Sequence, residues 1–288
     1  MSKRTPEGPP PPPAVQRLRL RYAKRGRLRF TSHRDIARAF ERALRRAQVP
    51  MAYSAGFSPH PKISWVGAAP TGVASEAEYV EISVAVRVDP ERLRAELDAS
   101  LPTGIDIVEV VEAPPQTSLP DRVSASVWEL RLPGVGVDEA RAAVATFLAA
   151  DTVPVERLTK NGPRTLDARA AVAAIRVSTA PGSLAGVATP GPPDAVGDGP
   201  CATLHLVVRH VTPAVRPDDV LTGLRSAADL VTPVPPAATR LAQGALTENG
   251  EVADPLAPDR DAPGASGPGA TRQDGDPVQV GAGAQLPG

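Results

Sequence analysis

Residues 17–48 read RLRLRYAKRGRLRFTSHRDIARAFERALRRAQ, and this stretch decides the predicted fold. Polar and apolar residues alternate from Arg17 to Tyr22, which predicts a β-strand with arginines on one face. From residue 33 to residue 48 the apolar residues recur at helical spacing, and Ser32 and Asp35 are placed as an N-cap pair. The stretch therefore predicts a strand followed by an amphipathic helix.

This helix is predicted to bury one face and to expose arginines on the other. The apolar face holds Ile36, Phe40, Ala43, Leu44 and Ala47. The opposite face and its flanks hold Arg34, Arg38, Arg42, Arg45 and Arg46. His33 is predicted near the buried side of the first turn. Because the guanidinium group presents a planar fork of donors, the arginine face suits phosphate groups; an ordinary solvated helix face is the alternative.

Beyond this stretch, alternation predicts strands and helical spacing predicts helices in two successive sets. The first set adds strands at 79–88 and 105–111 and a helix at 90–99. The second set has helices at 137–150 and 217–227, a last strand after them, and four strands at 126–132, 153–159, 170–178 and 202–211. We interpret each half as the order β-α-β-β-α-β. We predict an α+β protein of two ferredoxin-like units packed together.

Composition sets the predicted boundaries of these units. Residues 1–14 are Pro-rich and are predicted to be a disordered leader. Residues 15–115 form the basic first unit, and residues 116–240 form the second, with a flexible Gly- and Pro-rich loop at 179–200. Residues 241–288 contain almost no large apolar side chains, and a disordered tail is expected there.

Charge is distributed unevenly along the 288 residues, although the net charge is zero. Residues 14–50 contain twelve Lys or Arg and two acidic residues, a net charge of +10. A local basic patch of this kind favours a polyanionic partner. No apolar run reaches the roughly 18–20 residues that span a bilayer, and the N-terminus lacks the apolar segment of a secretory signal. We expect a cytoplasmic protein with no membrane segment.

Cysteine usage and motifs exclude several classes of site. Cys201 is the only cysteine, which excludes an internal disulfide and a cysteine-based metal cluster. Phosphate-binding loops, dinucleotide fingerprints and nucleophile elbows are absent from the sequence. A metal site built from His33, Asp35, His60 and Glu78 has only residue type in its favour, so no metal is predicted.

The stretch SAGFSPHPKIS, residues 54–64, predicts a rigid loop with a role in binding. Its shape is expected to depend on four residues, Gly56, Phe57, Pro59 and Pro61, since Gly allows a positive φ and Pro fixes φ. Phe57 is expected to anchor the loop by packing into the core. If the loop folds back on the helix N-terminus, His60 and Lys62 lie near His33 and form an anion-binding pocket.

These motifs resemble the radical-SAM-linked family, a bacterial domain of unknown function. The resemblance covers roughly residues 15–230 and is carried by Phe30-Thr-Ser-His33-Arg-Asp35, Arg38, Arg45-Arg46, Ser54-Ala-Gly56-Phe57-Ser-Pro59-His60-Pro61-Lys62, Gly72, Ser75-Glu76 and Glu78-Tyr79. It implies that a radical-SAM enzyme is a functional partner. The iron–sulfur cluster and S-adenosylmethionine are expected in that partner, because a cluster needs several cysteine thiolates. No cofactor is expected in this chain.

Three function hypotheses follow. The preferred one is an accessory module that binds RNA through the helix arginines and Lys62 and works with the radical-SAM partner in RNA modification or ribosome-related metabolism. The second is a metal-independent enzyme on a phosphodiester or other anionic substrate, with His33 and His60 as an acid–base pair and Lys62 stabilising developing charge. The third is a scaffold whose arginines bind an acidic protein.

Overall fold

The computed structural model describes residues 11–160, 162–178 and 199–260. Most of the predicted leader and of the predicted loop at 179–200 lies outside the described residues, as do residues 261–288 of the predicted tail. Within the described ranges the chain is a mixed α+β structure with one large sheet, which confirms the predicted α+β class.

The first half of the chain contains four strands and two helices. They are β1 (Gln16–Lys24), α1 (His33–Arg46), β2 (Ile63–Val66), β3 (Ala74–Val84), α2 (Pro90–Ser100) and β4 (Ile105–Glu112). A 3-10 turn over Gly26–Phe30 leads into α1. The predicted elements are present, but the strand predicted at 79–88 begins earlier and ends at Val84. Strand β2 was not predicted, because it directly follows the Gly- and Pro-rich loop.

The second half contains the remaining elements. They are β5 (Ala125–Pro133), α3 (Val137–Ala149), β6 (Pro154–Thr159), β7 (Gly162–Asp167), α4 (Ala168–Ala171), β8 (Val172–Ser178), β9 (Cys201–Arg209), α5 (Pro217–Ala228), β10 (Ala237–Leu246), β11 (Val252–Ala253) and α6 (Ala257–Arg260). Strands β6 and β7 form a hairpin of their own. The strand predicted from residue 170 starts as α4, because Asp167 caps that short helix by accepting from the amides of Arg169 and Ala170.

The large sheet joins both halves in the order β4-β1-β3-β10-β5-β9-β8, and β2 also pairs with β3. Neighbouring strands are antiparallel except for β3 and β10, which are parallel and meet at Thr239 with Ala74 and at Arg240 with Ser75. This short parallel pairing is the seam between the halves. The last long strand of the chain therefore pairs with the first half as well as with β5.

Helices cover one face of each half, as amphipathic spacing requires. In the first half, α1 and α2 pack on β1, β3 and β4 around a core that includes Leu20, Phe40 and Ile82. In the second half, α3 and α5 pack on β5, β8 and β9 around Leu204 and Phe147. The two cores are separate clusters.

The opposite face of the first half is covered by later parts of the same chain. Tyr79 and Val111 on that face pack with Leu119 from the linker between the halves and with Leu256 near the C-terminus. The predicted disordered tail from residue 241 is therefore wrong for residues 241–260, which complete β10 and form β11 and α6. Their composition looked poor in apolar groups, but Leu256 is fully buried and Asp259 is bound by arginines.

Candidate functional site

The start and the buried face of α1 are as the sequence predicted. Ser32 is the N-cap, its Oγ accepting from the Asp35 amide and donating to the Asp35 carboxylate at 2.7 Å. Ile36, Phe40 and Leu44 are buried against the sheet. Burial of this apolar stripe fixes the rotation of the helix and directs its other face toward solvent.

The solvent face of α1 presents an arginine stripe. We use this name for the five exposed residues Arg34, Arg38, Arg42, Arg45 and Arg46. Two carboxylates lie within reach, Asp35 at 3.7 Å from Arg38 and Glu41 at 3.8 Å from Arg45. Five arginines and two carboxylates leave a net charge of +3 on this helix. Exposed pairs at such distances stabilise little and leave the guanidinium groups available to a ligand.

Arg17 and Arg19 of β1 differ from the stripe, because their guanidinium groups are bonded inside the molecule. Arg19 is fully buried and binds Glu81 at 2.9 Å and Asp259 at 2.7 Å. Arg17 donates to the carbonyls of Pro114 and Thr117. Thr117 in the linker and Asp259 in α6 bind these arginines, so both segments close this face of the sheet. These arginines therefore serve the fold.

His33 lies at the first position of α1 and is exposed, so the prediction that it lies near the buried side is wrong. Its ring contacts the edge of Trp65 on β2, with ring centroids 5.0 Å apart and planes at 88°. Trp65 in turn packs on Phe40 and Tyr22. Ring packing against the Trp65 indole holds the His33 imidazole at the start of α1.

The stretch from residue 54 to residue 64 forms an arch. Ser54 and His60 close it through two hydrogen bonds, from the Ser54 amide to the His60 carbonyl at 2.9 Å and from the His60 amide to Ser54 Oγ at 3.0 Å. Tyr53 and Pro61 form a β-bridge just below. Gly56 has a φ of +137°, so the predicted positive φ is confirmed. The arch is therefore an ordered projection with a five-residue tip at 55–59.

Phe57 lies at the tip of this arch and is 69% exposed, so the prediction that it anchors the loop in the core is wrong. The anchoring residues lie at the base instead. Ala52 is buried, and its carbonyl accepts from the Lys62 amide at 2.8 Å. The Ser54–His60 hydrogen bonds close the arch at its neck, so the tip projects away from the sheet into solvent.

The base of the arch lies beside the second half of α1. Tyr53 and Pro61 line a shallow cleft of about 240 Å³ together with Glu41 and Arg45. At a rise of 1.5 Å per residue, Glu41 and Arg45 are about 12–18 Å along the helix axis from His33. These contacts do not support the predicted pocket shared by His33, His60 and Lys62. They bring the arch next to the arginine stripe.

Glu78, once considered as a metal ligand, has a structural role. It binds Arg240 across the β3–β10 seam, and its second oxygen accepts from the Ala69 amide. Lys24 is buried nearby and donates to the Pro70 carbonyl at 3.1 Å. Burial lowers the pKa of Lys24. Among the described residues no set of three or more metal-binding side chains converges.

Sequence reasoning missed the aromatic part of this site. Seven of the nine aromatics lie between residues 22 and 79, and no exposed aromatic surface was predicted among them. In the structure Phe30, Tyr53 and Phe57 are exposed by 60%, 41% and 69%. A flanking Arg29 at 4.8 Å from the Phe30 ring shows a cation over an aromatic face.

Comparison with known proteins gives a family without an assigned activity. A family model described as an uncharacterized protein conserved in bacteria (DUF2344) matches residues 17–217. No curated protein matches the chain. The matched range includes α1, the arch and most of the second half. In the part of the chain that the structure describes, none of the helices has the length and apolar character needed to cross a bilayer.

Proposed function

The chain belongs to this uncharacterized protein family conserved in bacteria, and we propose that it is an accessory module that binds RNA through the arginine stripe of α1. The proposal includes a radical-SAM enzyme as the partner that acts on the bound RNA. It also includes a cytoplasmic location, where such RNA is found. The module itself supplies binding and orientation rather than a cofactor.

The observation that best supports this proposal is the contrast between the arginines of β1 and those of α1. On β1, Arg17 and Arg19 are tied to carboxylates and carbonyls of the fold. On α1, five arginines share the solvent side with two carboxylates. The stripe keeps an excess charge of +3 on its own helix, whereas Arg19 on β1 is matched by Glu81 and Asp259. Phosphate oxygens match the fork of donors on a guanidinium group, and a nucleic-acid backbone repeats its phosphates in series.

A phosphate backbone also explains the linear arrangement of the stripe. Arg34, Arg38 and Arg42 follow each other at four-residue spacing, so their Cα atoms lie about 6 Å apart along the axis. A chain of phosphates offers several anions in sequence, whereas a small anion uses one or two donors. The second hypothesis, an enzyme with His33 and His60 as an acid–base pair, has no matching contact in its favour.

Each half is a ferredoxin-like unit in this proposal. Its support is the strand order β4-β1-β3-β2 in the first half and β10-β5-β9-β8 in the second, with antiparallel neighbours in both. The β6–β7 hairpin and α4 are then an insertion into the second unit. The stripe lies on the helix layer of the first unit, away from the sheet faces that are closed by the linker and α6.

Binding to RNA is tested by removing three charges from the stripe. The variant Arg38→Gln/Arg42→Gln/Arg45→Gln changes exposed positions to a good helix former, so it should fold normally. Binding to bulk RNA should weaken. The slope of log K against log salt should become shallower by about 2 to 3, since each phosphate contact contributes about 0.7–0.9. Titration at several salt concentrations measures both.

The matched control removes the same charge elsewhere. Arg87, Arg92 and Arg141 have side chains that are 61%, 78% and 59% exposed, and all three lie outside α1. Their replacement by Gln should leave affinity and slope unchanged. Equal losses in both triple variants would mean non-specific attraction and would contradict the proposal. Wild-type protein that binds an acidic protein but no RNA would favour the scaffold hypothesis instead.

The radical-SAM part of the proposal is supported by the sequence motifs alone. It is tested by capturing the tagged protein from a lysate of its own bacterium, with and without nuclease. A radical-SAM enzyme that remains bound after nuclease treatment supports a direct partnership. Loss of the enzyme on nuclease treatment would mean that RNA alone connects the two proteins. Absence of the enzyme from both samples would contradict the partnership.

A further inference from the structure

Three of the nine aromatic residues are exposed, and all three belong to the basic first segment. They are Phe30, Tyr53 and Phe57, at 60%, 41% and 69% exposure. The other six are buried or half-buried, namely Tyr22, Phe40, Trp65, Tyr79, Trp128 and Phe147. Single exposed apolar side chains are common on proteins. Phe30 precedes α1, Tyr53 lines the cleft that contains Arg45, and Phe57 lies four residues after Tyr53 at the tip of the arch.

The backbone of the arch keeps the Phe57 ring exposed to solvent. The two Ser54–His60 hydrogen bonds close its neck, and Pro59 restricts the backbone on one side of the tip. Gly56 provides the positive φ on the other side. Phe57 is therefore displayed on an ordered loop, and a ligand that stacks on it orders little additional backbone.

The aromatic rings flank the arginine stripe at both of its ends. Phe30 lies just before the N-cap of α1, with the Arg29 guanidinium 4.8 Å from its ring centroid. Tyr53 lines the cleft that contains Arg45, near the other end of the helix. The helix has 14 residues and is about 21 Å long. The stripe and the exposed rings near its two ends form the candidate binding surface.

We propose that this surface binds single-stranded RNA, with unpaired bases stacked on Phe57 and Tyr53 while the phosphates contact the stripe. Paired bases keep their faces inside the duplex, so exposed aromatic rings can stack only on unpaired bases. Arginine contacts alone bind single strands and duplexes alike. The inference rests on the proposed function, and it specifies the class of RNA that the same site takes.

The test compares Phe57→Ala with wild type on labelled RNA of about 12 nucleotides, single-stranded and as a blunt duplex, at each of several salt concentrations. The variant should bind the single strand about 5- to 150-fold more weakly, since one base–aromatic stack contributes on that order. Duplex affinity should not change, and Phe57→Tyr should restore binding. The salt slope should stay at the wild-type value, in contrast to the arginine triple variant. A DNA strand of the same sequence tests whether base stacking alone accounts for the affinity or whether the 2′-hydroxyl of ribose also contributes.

Leu158 provides the matched control, because it is 83% exposed on the β6–β7 hairpin and far in sequence from the stripe. Leu158→Ala should bind both RNAs as wild type does. If wild type binds neither RNA, the proposed function and this inference both fail. If wild type binds both and Phe57→Ala changes nothing, the proposed function stands and the stacking inference is overturned. Loss of a captured protein partner in Phe57→Ala, with RNA binding intact, also overturns it and assigns the arch to that protein.

Discussion

Arg19 and Asp259 form a fully buried ion pair, with Nη1 2.7 Å from Oδ2, although 240 residues separate them in the chain. Asp259 also accepts from Arg122 at 2.9 Å, and Arg19 also binds Glu81 and Thr117. The pair attaches α6 to the strand that begins the fold. The C-terminal residues 254–260 are thus a structural part of the first half.

Replacement of Asp259 by Ala should destabilise the protein by about 3 kcal/mol or more, because it leaves a buried guanidinium without its nearest carboxylate. Chemical denaturation measures the change in the free energy of unfolding. Asp138→Ala is the matched control, since its side chain is 97% exposed and pairs only with Arg141 three residues on; a loss below about 1 kcal/mol is expected there. Equal effects in the two variants would show that α6 does not hold the sheet face.

Removal of the hydroxyl of Ser54 should loosen the arch without unfolding the domain. The His60 amide loses its acceptor in Ser54→Ala, so its hydrogen exchange should accelerate, while global stability falls by about 0.5–1.5 kcal/mol. Ser58→Ala, at the exposed tip of the same arch, is the control and should leave exchange at residue 60 unchanged. Unchanged exchange in both variants would mean that the neck is held by other contacts.

The stability of the second half should depend on pH through His205. Burial lowers the pKa of this histidine from about 6.5, and Glu129 opposes the shift. The unfolded chain therefore binds more protons just below pH 6.5, so the stabilising contribution is complete above about pH 6.5 and is lost as the pH falls through the lowered pKa. His205→Gln should flatten the decline in melting temperature between about pH 7 and pH 5.

A control for this prediction keeps the imidazole but removes one of its contacts. His205 Nε2 lies 3.2 Å from Ser178 Oγ, and Ser178→Ala should retain most of the wild-type pH dependence. A wild-type slope in His205→Gln would assign the pH dependence to other groups. Glu129 and Arg176, the charged residues paired with His205 on the neighbouring strands, are unchanged in both variants.

The sequence predicted the regular elements well where one physical period dominated. Alternation of arginines with apolar residues identified β1, and the apolar spacing together with Ser32 identified α1, because each pattern follows one structural period. It also predicted correctly that the arginines of α1 point to solvent. The α+β class followed from the order of these elements.

The sequence failed where a long-range contact decides the outcome. Asp259 sits in a segment of low apolar content, and long-range contacts order that segment, since Arg19 and Arg122 bind Asp259 and Leu256 is fully buried. Phe57 looked like a core residue because aromatics usually are buried, but the closing bonds at Ser54 place it outside. The parallel seam at Arg240 is likewise invisible, since the partner strand lies about 160 residues earlier and no local pattern records the pairing.

The seam between β3 and β10 has a consequence for how the protein is made. β3 is synthesised early and β10 near the end of translation. Until β10 leaves the ribosome, the edge of β3 that pairs with β10 stays unpaired. At about 5–20 residues per second, the interval from residue 74 to residue 239 lasts roughly 8–33 s. Nascent chains released before residue 246 would carry that open edge into the cell. Chaperones and proteases should recognise them, which gives the cell a check that synthesis has proceeded past β10.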